Sequence, residues 1–201
     1  MKFLIAYNDN TEDLAGGFFA CCGEEIIEEA ENRHIDSVVL TPPSLTNTLL
    51  VQHLSDCQVC FIANHGDARS IDGDNGDIVS VDTNNRAFFG KLLYAISCTC
   101  AQELKDSLAS EGLHSFWGYD NEIHVWYGYP QYARCALAGI KSLMAGNKVK
   151  DAKEQVIAQY NADIAELEEQ YPDHPELAAA LLDNREALVI FGDDELKLSD
   201  L

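Results

Sequence analysis

Short apolar runs alternate with longer stretches of helical hydrophobic spacing along most of the chain. The apolar runs predict strands, most of them covered on both faces of a sheet. They are MKFLIAY (1–7), DSVVLTPP (36–43), CQVCFIAN (57–64), KLLYAIS (91–97), LHSFWGY (113–119) and a last short strand with a tail in EALVIFGDDELKL (186–198). Helices are predicted over 13–33, 44–56, 99–112, roughly 130–148, 150–170 and 174–183, and a small hairpin around 78–81. This alternation predicts an α/β fold in which helices flank a doubly wound, mainly parallel sheet, in one domain over residues 1–201.

Composition narrows the class of function. Thirty-four acidic residues against thirteen basic ones give a net charge of −21, which should repel phosphate backbones and anionic lipids. We therefore expect neither a nucleic acid nor a membrane as partner. No apolar stretch approaches the roughly 20 residues of a membrane span, and the run at the start of the chain is too short for a secretory signal. Seven cysteines cannot all pair within one chain, so free thiols and a cytoplasmic location are expected.

Two chemically active side chains follow two of the predicted strands. His65 and Gly66 come directly after CFIAN, and Cys98 comes directly after LLYAIS. Active groups in open α/β sheets lie just outside the carboxyl ends of the strands, so the two side chains share one edge if their strands are neighbours. Imidazole is the usual base that converts a thiol to thiolate near neutral pH. A helix starting near Thr99 would also direct its positive end at Cys98.

Each residue is also compatible with a structural role. Cysteine is among the most buried residue types, and a single cysteine at a strand end is usually core filler. Cys100, two residues further on, is a rival nucleophile. A histidine by itself is usually a surface residue, so only the joint placement of His65 and Cys98 favours catalysis.

The motifs resemble those of the caspase-fold cysteine peptidases, a group that includes caspases, gingipains, clostripain and CHAT domains. FIANHG matches the strand that ends in His-Gly, and YAISCTCAQEL resembles the CHAT-like strand that ends in a small residue and the nucleophile. HSFWGYDNE resembles the following strand, and LVIFGDDELKL resembles the Gly-Asp-Pro tail, with Asp194 in place of Pro. The resemblance runs in order over about residues 1 to 198. It implies a caspase-like three-layer sandwich.

The resemblance implies a cysteine endopeptidase that works in signalling, stress or defence, on a protein or peptide substrate and with a regulatory protein partner. Cys98 would be the nucleophile, because Ser97 takes the place of the small residue that precedes it. His65 would protonate the leaving amine, and the N–H groups of Gly66 and Cys98 would hold the oxyanion. The family works with a dyad and needs no metal or cofactor. The alternative is a catalytically silent caspase-like domain that acts as a scaffold or binding module.

Residues for substrate binding are less defined by the sequence. By the resemblance, Ile96 stands where clostripain-like and metacaspase-like members carry an acid that selects a basic substrate side chain. Asp120 or Glu122, on the loop after FWGY, are candidates to replace that acid. The aromatic stretch FWGYDNEIHVWYGY is either core packing or the wall of a substrate cleft. The candidates for such a wall are Trp117, Tyr119, Trp126 and Tyr127.

Two other motifs are predicted to be structural. Cys57 and Cys60 have CxxC spacing, but the chain has no second pair to complete a zinc site, and their strand is expected to be buried. DGDNGD (72–77) resembles part of a calcium loop but lacks the glutamate that ends an EF-hand, so we expect a turn.

Overall fold

The computed structural model describes residues 1–83 and 85–201. Its strands are β1 (Lys2–Tyr7), β2 (Asp36–Leu40), β3 (Val59–Ala63), β4 (Ser70–Gly73), β5 (Gly76–Ser80), β6 (Leu92–Ile96), β7 (Ser115–Tyr119) and β8 (Leu188–Gly192). Its helices are α1 (Gly16–Asn32), α2 (Asn47–Leu54), α3 (Leu104–Ser110), α4 (Gln131–Met144), α5 (Val149–Gln170) and α6 (Pro175–Ala187), and short 3₁₀ turns lie at Asn85–Phe88 and Leu198–Asp200.

A six-stranded sheet forms the centre of the molecule, in the order β2-β1-β3-β6-β7-β8. All neighbouring strands run parallel except β8, which pairs antiparallel with β7 at one edge. The strand order reverses direction beside β1, as in doubly wound folds, so that crossovers go to both faces. Strands β4 and β5 form a separate antiparallel hairpin between β3 and β6 in sequence. The expected doubly wound, mainly parallel sheet is confirmed.

Alternate residues of each central strand enter two different apolar cores, one on each face of the sheet. In β1, Phe3 and Ile5 face the core built with α1, α4, α5 and α6, whereas Leu4 faces the core built with α2 and α3. The residues of β3 and β6 are all buried, which accounts for their unbroken apolar sequence. The molecule is therefore the three-layer sandwich that the motifs implied.

Helix α1 lies close against β1, and a glycine permits that approach. A Cβ at Gly23 would lie 2.3 Å from the ring of Tyr7, so the helix could not pack at this distance with a larger residue. The segment that joins β1 to α1 passes the carboxyl end of β3, where the Asn8 N–H donates to the Ala63 carbonyl at 3.0 Å.

Candidate active site

The register of two neighbouring strands brings His65 and Cys98 to the same edge of the sheet. In the β3–β6 pair, Ala63 lies opposite Ile96, and the Asn64 N–H donates to the Ile96 carbonyl at 3.2 Å. His65 and Cys98 each lie two residues beyond that last pair. Because the strands are parallel, both residues leave the sheet at its carboxyl edge, where ligands bind in open α/β folds.

The imidazole of His65 is held by a carboxylate from the β1–α1 segment. Its Nε2 lies 2.9 Å from Oδ1 and 2.8 Å from Oδ2 of Asp13, across 52 positions of sequence. The ring also packs edge-on against Phe19 of α1, with ring centroids 5.2 Å apart. A neutral ring that donates from Nε2 to a carboxylate keeps Nδ1 as its acceptor. The side chain remains 45% exposed, so Nδ1 stays open to a substrate or a thiol.

Asp13 is itself fixed by several donors. The Asn8 amide donates to its Oδ2 at 2.8 Å, and the Ala15 N–H donates to its Oδ1 at 2.9 Å. Burial raises the pKa of the Asp13 carboxyl, but the hydrogen bonds from His65, Ala15 and Asn8 outweigh it, so the net pKa lies below its ordinary value. The carboxylate therefore orients the imidazole as a charged group. The sequence prediction of a dyad did not include this residue.

Cys98 has a half-buried thiol that accepts a hydrogen bond. The Ile123 N–H, on the loop after β7, lies 3.4 Å from its Sγ. Cys100, the rival nucleophile, is fully buried, its Sγ lies within hydrogen-bond distance of the Ser97 carbonyl, and burial raises its pKa to about 12. Of the two thiols, only that of Cys98 is accessible and accepts a backbone hydrogen bond.

The helix predicted to start near Thr99 begins five residues later. Thr99 has a left-handed backbone with φ of +52°, and its N–H donates to the Asn121 carbonyl rather than into a helix. Turns continue to Glu103, and α3 begins at Leu104. The prediction of a helix start directed at Cys98 is therefore wrong. The backbone donor on Cys98 comes from the loop after β7 instead.

Gly66 lies where the backbone of three segments meets. A Cβ on it would be 2.3 Å from the Ser97 Oγ and 2.5 Å from the Ser70 carbonyl oxygen. Hydrogen bonds from the Asp72 N–H to the His65 carbonyl and from the Asp67 N–H to the Ser70 carbonyl tie this turn to the β4–β5 hairpin. Within the described residues, neither the Gly66 N–H nor the Cys98 N–H donates to another group, so both are free for a ligand.

The six predicted substrate-binding residues separate into two buried side chains and four exposed ones, with Trp126 and Tyr127 among the exposed. Asp120 and Glu122 are exposed on the loop after β7. Trp117 and Tyr119 are buried in the core, where the Tyr119 hydroxyl meets the Tyr160 hydroxyl at 3.2 Å. Neither ring reaches the surface, because α4 and α5 cover that face of β7. Of the two alternatives for the aromatic stretch, core packing is therefore the one that the structure shows at Trp117 and Tyr119.

Of the two motifs predicted to be structural, one lies away from the site and the other borders it. Cys57 and Cys60 are buried free thiols at and near the amino end of β3, opposite the edge that carries His65. Residues 72–77 span the end of β4, the turn and the start of β5, and the Asp72 N–H donates to the His65 carbonyl. Among the described residues, no group of three or more His, Cys, Asp or Glu side chains is arranged to hold a metal ion.

Two recesses flank this edge of the sheet. One, of about 290 Å³, lies between His65 and the hairpin and includes the acidic residues Asp72 and Asp74. The other, of about 490 Å³, lies between the start of α1 and the loop over 125–130. The smaller recess opens beside the Asp13–His65 pair, and the larger one opens beside the loop that touches Cys98.

Comparisons with solved structures place the fold. The chain is similar to the Arg-specific cysteine proteinase gingipain R (RgpB), with a TM-score of 0.63 and 10% sequence identity. It is equally similar to RgpB in the complex of the Porphyromonas gingivalis pro- and mature domains. In each case the match covers 98% of this chain and 47% of the other, so the chain spans about half the length of the proteinase chain. At this identity the likeness shows a caspase-like α/β fold.

Comparison of sequences gives no match. No family model fits the chain, and no curated protein matches it at a significant level. Among the described residues, no helix has the length and apolar character needed to cross a bilayer.

Proposed function

We propose that the protein is a cysteine peptidase in which Cys98 is the nucleophile, His65 the proton donor and acceptor, and Asp13 the residue that orients His65. The observation that carries this proposal is the β3–β6 register, which brings an oriented imidazole and an accessible thiol to one edge of the sheet. The fold of RgpB, a cysteine proteinase, supports it.

The reaction follows from the positions of the donors and acceptors. Cys98 sulfur, as thiolate, attacks a peptide carbonyl carbon and forms a C–S bond while the carbonyl π electrons move to oxygen. The unused N–H groups of Gly66 and Cys98 are the donors available to that oxyanion. The C–N bond then breaks, and the imidazolium of His65 gives its proton to the departing amine. Water, deprotonated by the neutral imidazole, attacks the thioester, and the thiolate leaves as the carboxylic acid forms.

A peptide-ketone labelling experiment tests the proposal. Chloromethyl- or acyloxymethyl-ketone peptides alkylate an activated thiol after binding, and peptide mapping identifies the cysteine that carries the label. We expect labelling at Cys98, and a strong loss of it in His65→Ala. Cys57→Ser is the matched control, because Cys57 is a free thiol at the opposite edge of the sheet whose pKa is raised by burial. That variant should label at Cys98 as the wild type does.

The opposite outcome favours the second candidate function. A silent caspase-like scaffold would label weakly and evenly over its accessible thiols, with no effect of His65→Ala. It would also cleave no peptide of a mixed library. Either result would contradict a peptidase, provided that circular dichroism shows both variants to be folded.

A further inference from the structure

The larger recess is an apolar cavity of about 490 Å³, within the ~300–1,000 Å³ of ordinary ligand pockets. One wall comes from the start of α1 and the other from the loop after β7. The lining residues are Leu14, Gly17, Phe18, Cys21, Val125, Trp126, Tyr127, Gly128, Tyr129, Pro130 and Ala133.

Both walls of this cavity lie next in sequence to residues that form or contact the candidate active site. On the α1 wall, Leu14 follows Asp13 directly, and Phe18 precedes the Phe19 ring that packs edge-on against His65. On the loop wall, Val125 lies two residues after Ile123, whose N–H donates to the Cys98 thiol. The ring centroids of Phe18 and Phe19 are 5.8 Å apart, so the cavity begins one ring beyond the aromatic that packs on His65. It is therefore close enough to take a side chain of a peptide bound across His65 and Cys98.

The chemistry of the walls specifies the occupant. None of the described residues that line the cavity is charged, although the chain carries 34 acids. Leu14 and Tyr127 are almost fully exposed and Trp126 is 45% exposed, so the free protein leaves apolar surface in water beside its polar site. A basic or acidic side chain would lose its hydration there and gain no partner, whereas an apolar one would lose contact with water at no such cost.

We infer that this cavity binds a large apolar side chain, aromatic or leucine-like, of the peptide residue next to the scissile bond. The inference rests on the proposed peptidase function and names the class of substrate. It separates this chain from RgpB, which is described as Arg-specific. Trp126 and Tyr127 become the specificity residues, in place of the buried aromatics of β7.

The acidic recess is the competing pocket. Its volume is about 290 Å³, and its acids Asp72 and Asp74 are exposed on the hairpin. Asp74 already accepts the Leu45 N–H at 2.6 Å. Since both carboxylates are in contact with water, nothing in the fold requires a basic side chain to neutralise them. A preference for Arg or Lys would nevertheless be the result that this recess predicts.

A positional peptide library with the full chain tests the inference. We expect one position beside the scissile bond to favour Phe, Tyr, Trp or Leu over Arg, Lys and Asp by about tenfold or more in kcat/KM. The blocking variant is Gly17→Phe, since a Cβ at Gly17 meets only the Tyr127 ring, at an ordinary 3.5 Å. This variant should raise KM for the aromatic substrate by a much larger factor than KM for the alanine-containing analogue. Phe89→Ala is the matched control, because Phe89 is an exposed aromatic outside this cavity.

The outcomes separate this inference from the function on which it rests. Cleavage with a basic preference that Asp72→Asn removes would overturn the apolar pocket and leave the peptidase intact. An apolar preference that persists in both Gly17→Phe and Trp126→Ala would also overturn it, because the selecting surface would then lie elsewhere. Absence of cleavage and of Cys98 labelling in folded wild-type protein would contradict the peptidase function and this inference together.

Discussion

Two regions of the molecule each bring together a cysteine, an aspartate and a basic side chain. At the carboxyl edge of the sheet they are Cys98, Asp13 and His65. Between α4 and α5 they are Cys135, Asp163 and Arg134: Arg134 Nε donates to Asp163 Oδ2 at 3.0 Å, and the Cys135 thiol lies 3.1 Å from the same oxygen. The residue types alone would not tell these regions apart.

The direction of the hydrogen bond at sulfur and the access to it distinguish the two. Cys135 is fully buried, and its thiol donates a hydrogen bond to the Asp163 carboxylate. Burial together with Asp163 raises the pKa of that thiol. Cys98 is half-buried and accepts an N–H from Ile123. Arginine stays protonated and cannot exchange a proton with a substrate, whereas histidine can. The helical region therefore holds its thiol as a buried hydrogen-bond donor, whereas the sheet edge leaves a thiol and an imidazole accessible, as the proposed function requires.

The largest expected effect is on the two cysteines. Cys98→Ala should lower kcat by at least ~10³-fold, since a nucleophile is removed, and should leave the melting temperature almost unchanged. Cys135→Ala should keep kcat near the wild-type value and lower the free energy of unfolding by about 1–2 kcal/mol, because it leaves a small cavity in the core. Kinetics on a cleaved library peptide and urea unfolding measure both. Equal kcat values in the two variants would contradict the difference in role between the Cys98 and Cys135 regions.

Asp163→Ala should cost about 3 kcal/mol of unfolding free energy. The carboxylate is 2% exposed and holds Arg134, Cys135 and Gln159, so its loss leaves a guanidinium with fewer partners in a half-buried position. Glu166 still pairs with Arg134 in this variant, and that ion pair limits the loss of unfolding free energy. Urea denaturation measures it, and kcat of the folded fraction is the control. A large fall in kcat without a fall in stability would mean that the helical region takes part in the reaction.

How much of the fold and of the candidate site the sequence predicts depends on whether the contacts involved are local or long-range. The strands of the sheet are visible in the sequence because burial on both faces requires unbroken apolar runs, as in VCFIA and LLYAI. The sequence predicts that His65 and Cys98 share an edge only on the condition that β3 and β6 are neighbours. That condition cannot be read from the sequence, because the order of strands is set by long-range packing and a hairpin intervenes between β3 and β6. The likeness to the caspase fold supplied the missing order.

Asp13 and the aromatic residues show where local patterns fail. NDNTED offers several polar side chains after β1, and nothing local indicates which of them meets a histidine 52 positions away. Trp117 and Tyr119 lie on a strand whose burial depends on α4 and α5, which follow later in the chain. The left-handed Thr99 delays α3, although the composition of 99–112 is helical.

Asp13→Asn addresses the orienting carboxylate of the sheet edge. The amide keeps the shape but does not favour the imidazolium, so kcat should fall on the order of 10²-fold, with little change in KM. A merely structural role would not shift the pH profile of kcat/KM, whereas an orienting role should move its acid limb. Asp13→Glu, which restores the charge at a longer reach, should recover part of the activity. No change in the pH profile would remove Asp13 from the mechanism.

Gly66→Ala tests how tightly the sheet edge is packed compared with the helical region. The added methyl would lie 2.5 Å from a backbone oxygen of Ser70, so the turn after β3 has to move, at a cost of about 1–3 kcal/mol. We expect a fall in both stability and kcat, since the same turn carries His65 and the free Gly66 N–H. Gly17→Ala is the control for stability, because α1 has room for the added methyl. Its free energy of unfolding should equal or slightly exceed that of the wild type. A neutral Gly66→Ala would contradict the close approach seen here.

The smallest effect is the pH dependence of stability that Asp13 contributes. Its pKa lies below the ordinary 3.8, so the folded state binds this proton less readily than the unfolded chain does. The stabilisation is therefore present in full above the ordinary value and is lost as the pH falls through the lowered one. Urea unfolding of the wild type and of Asp13→Asn at pH 6 and pH 3 should show a steeper loss for the wild type. Parallel losses would mean that the Asp13–His65 contact does not persist in solution, and the sheet edge would then lack the fixed imidazole that sets it apart from the Cys135 region.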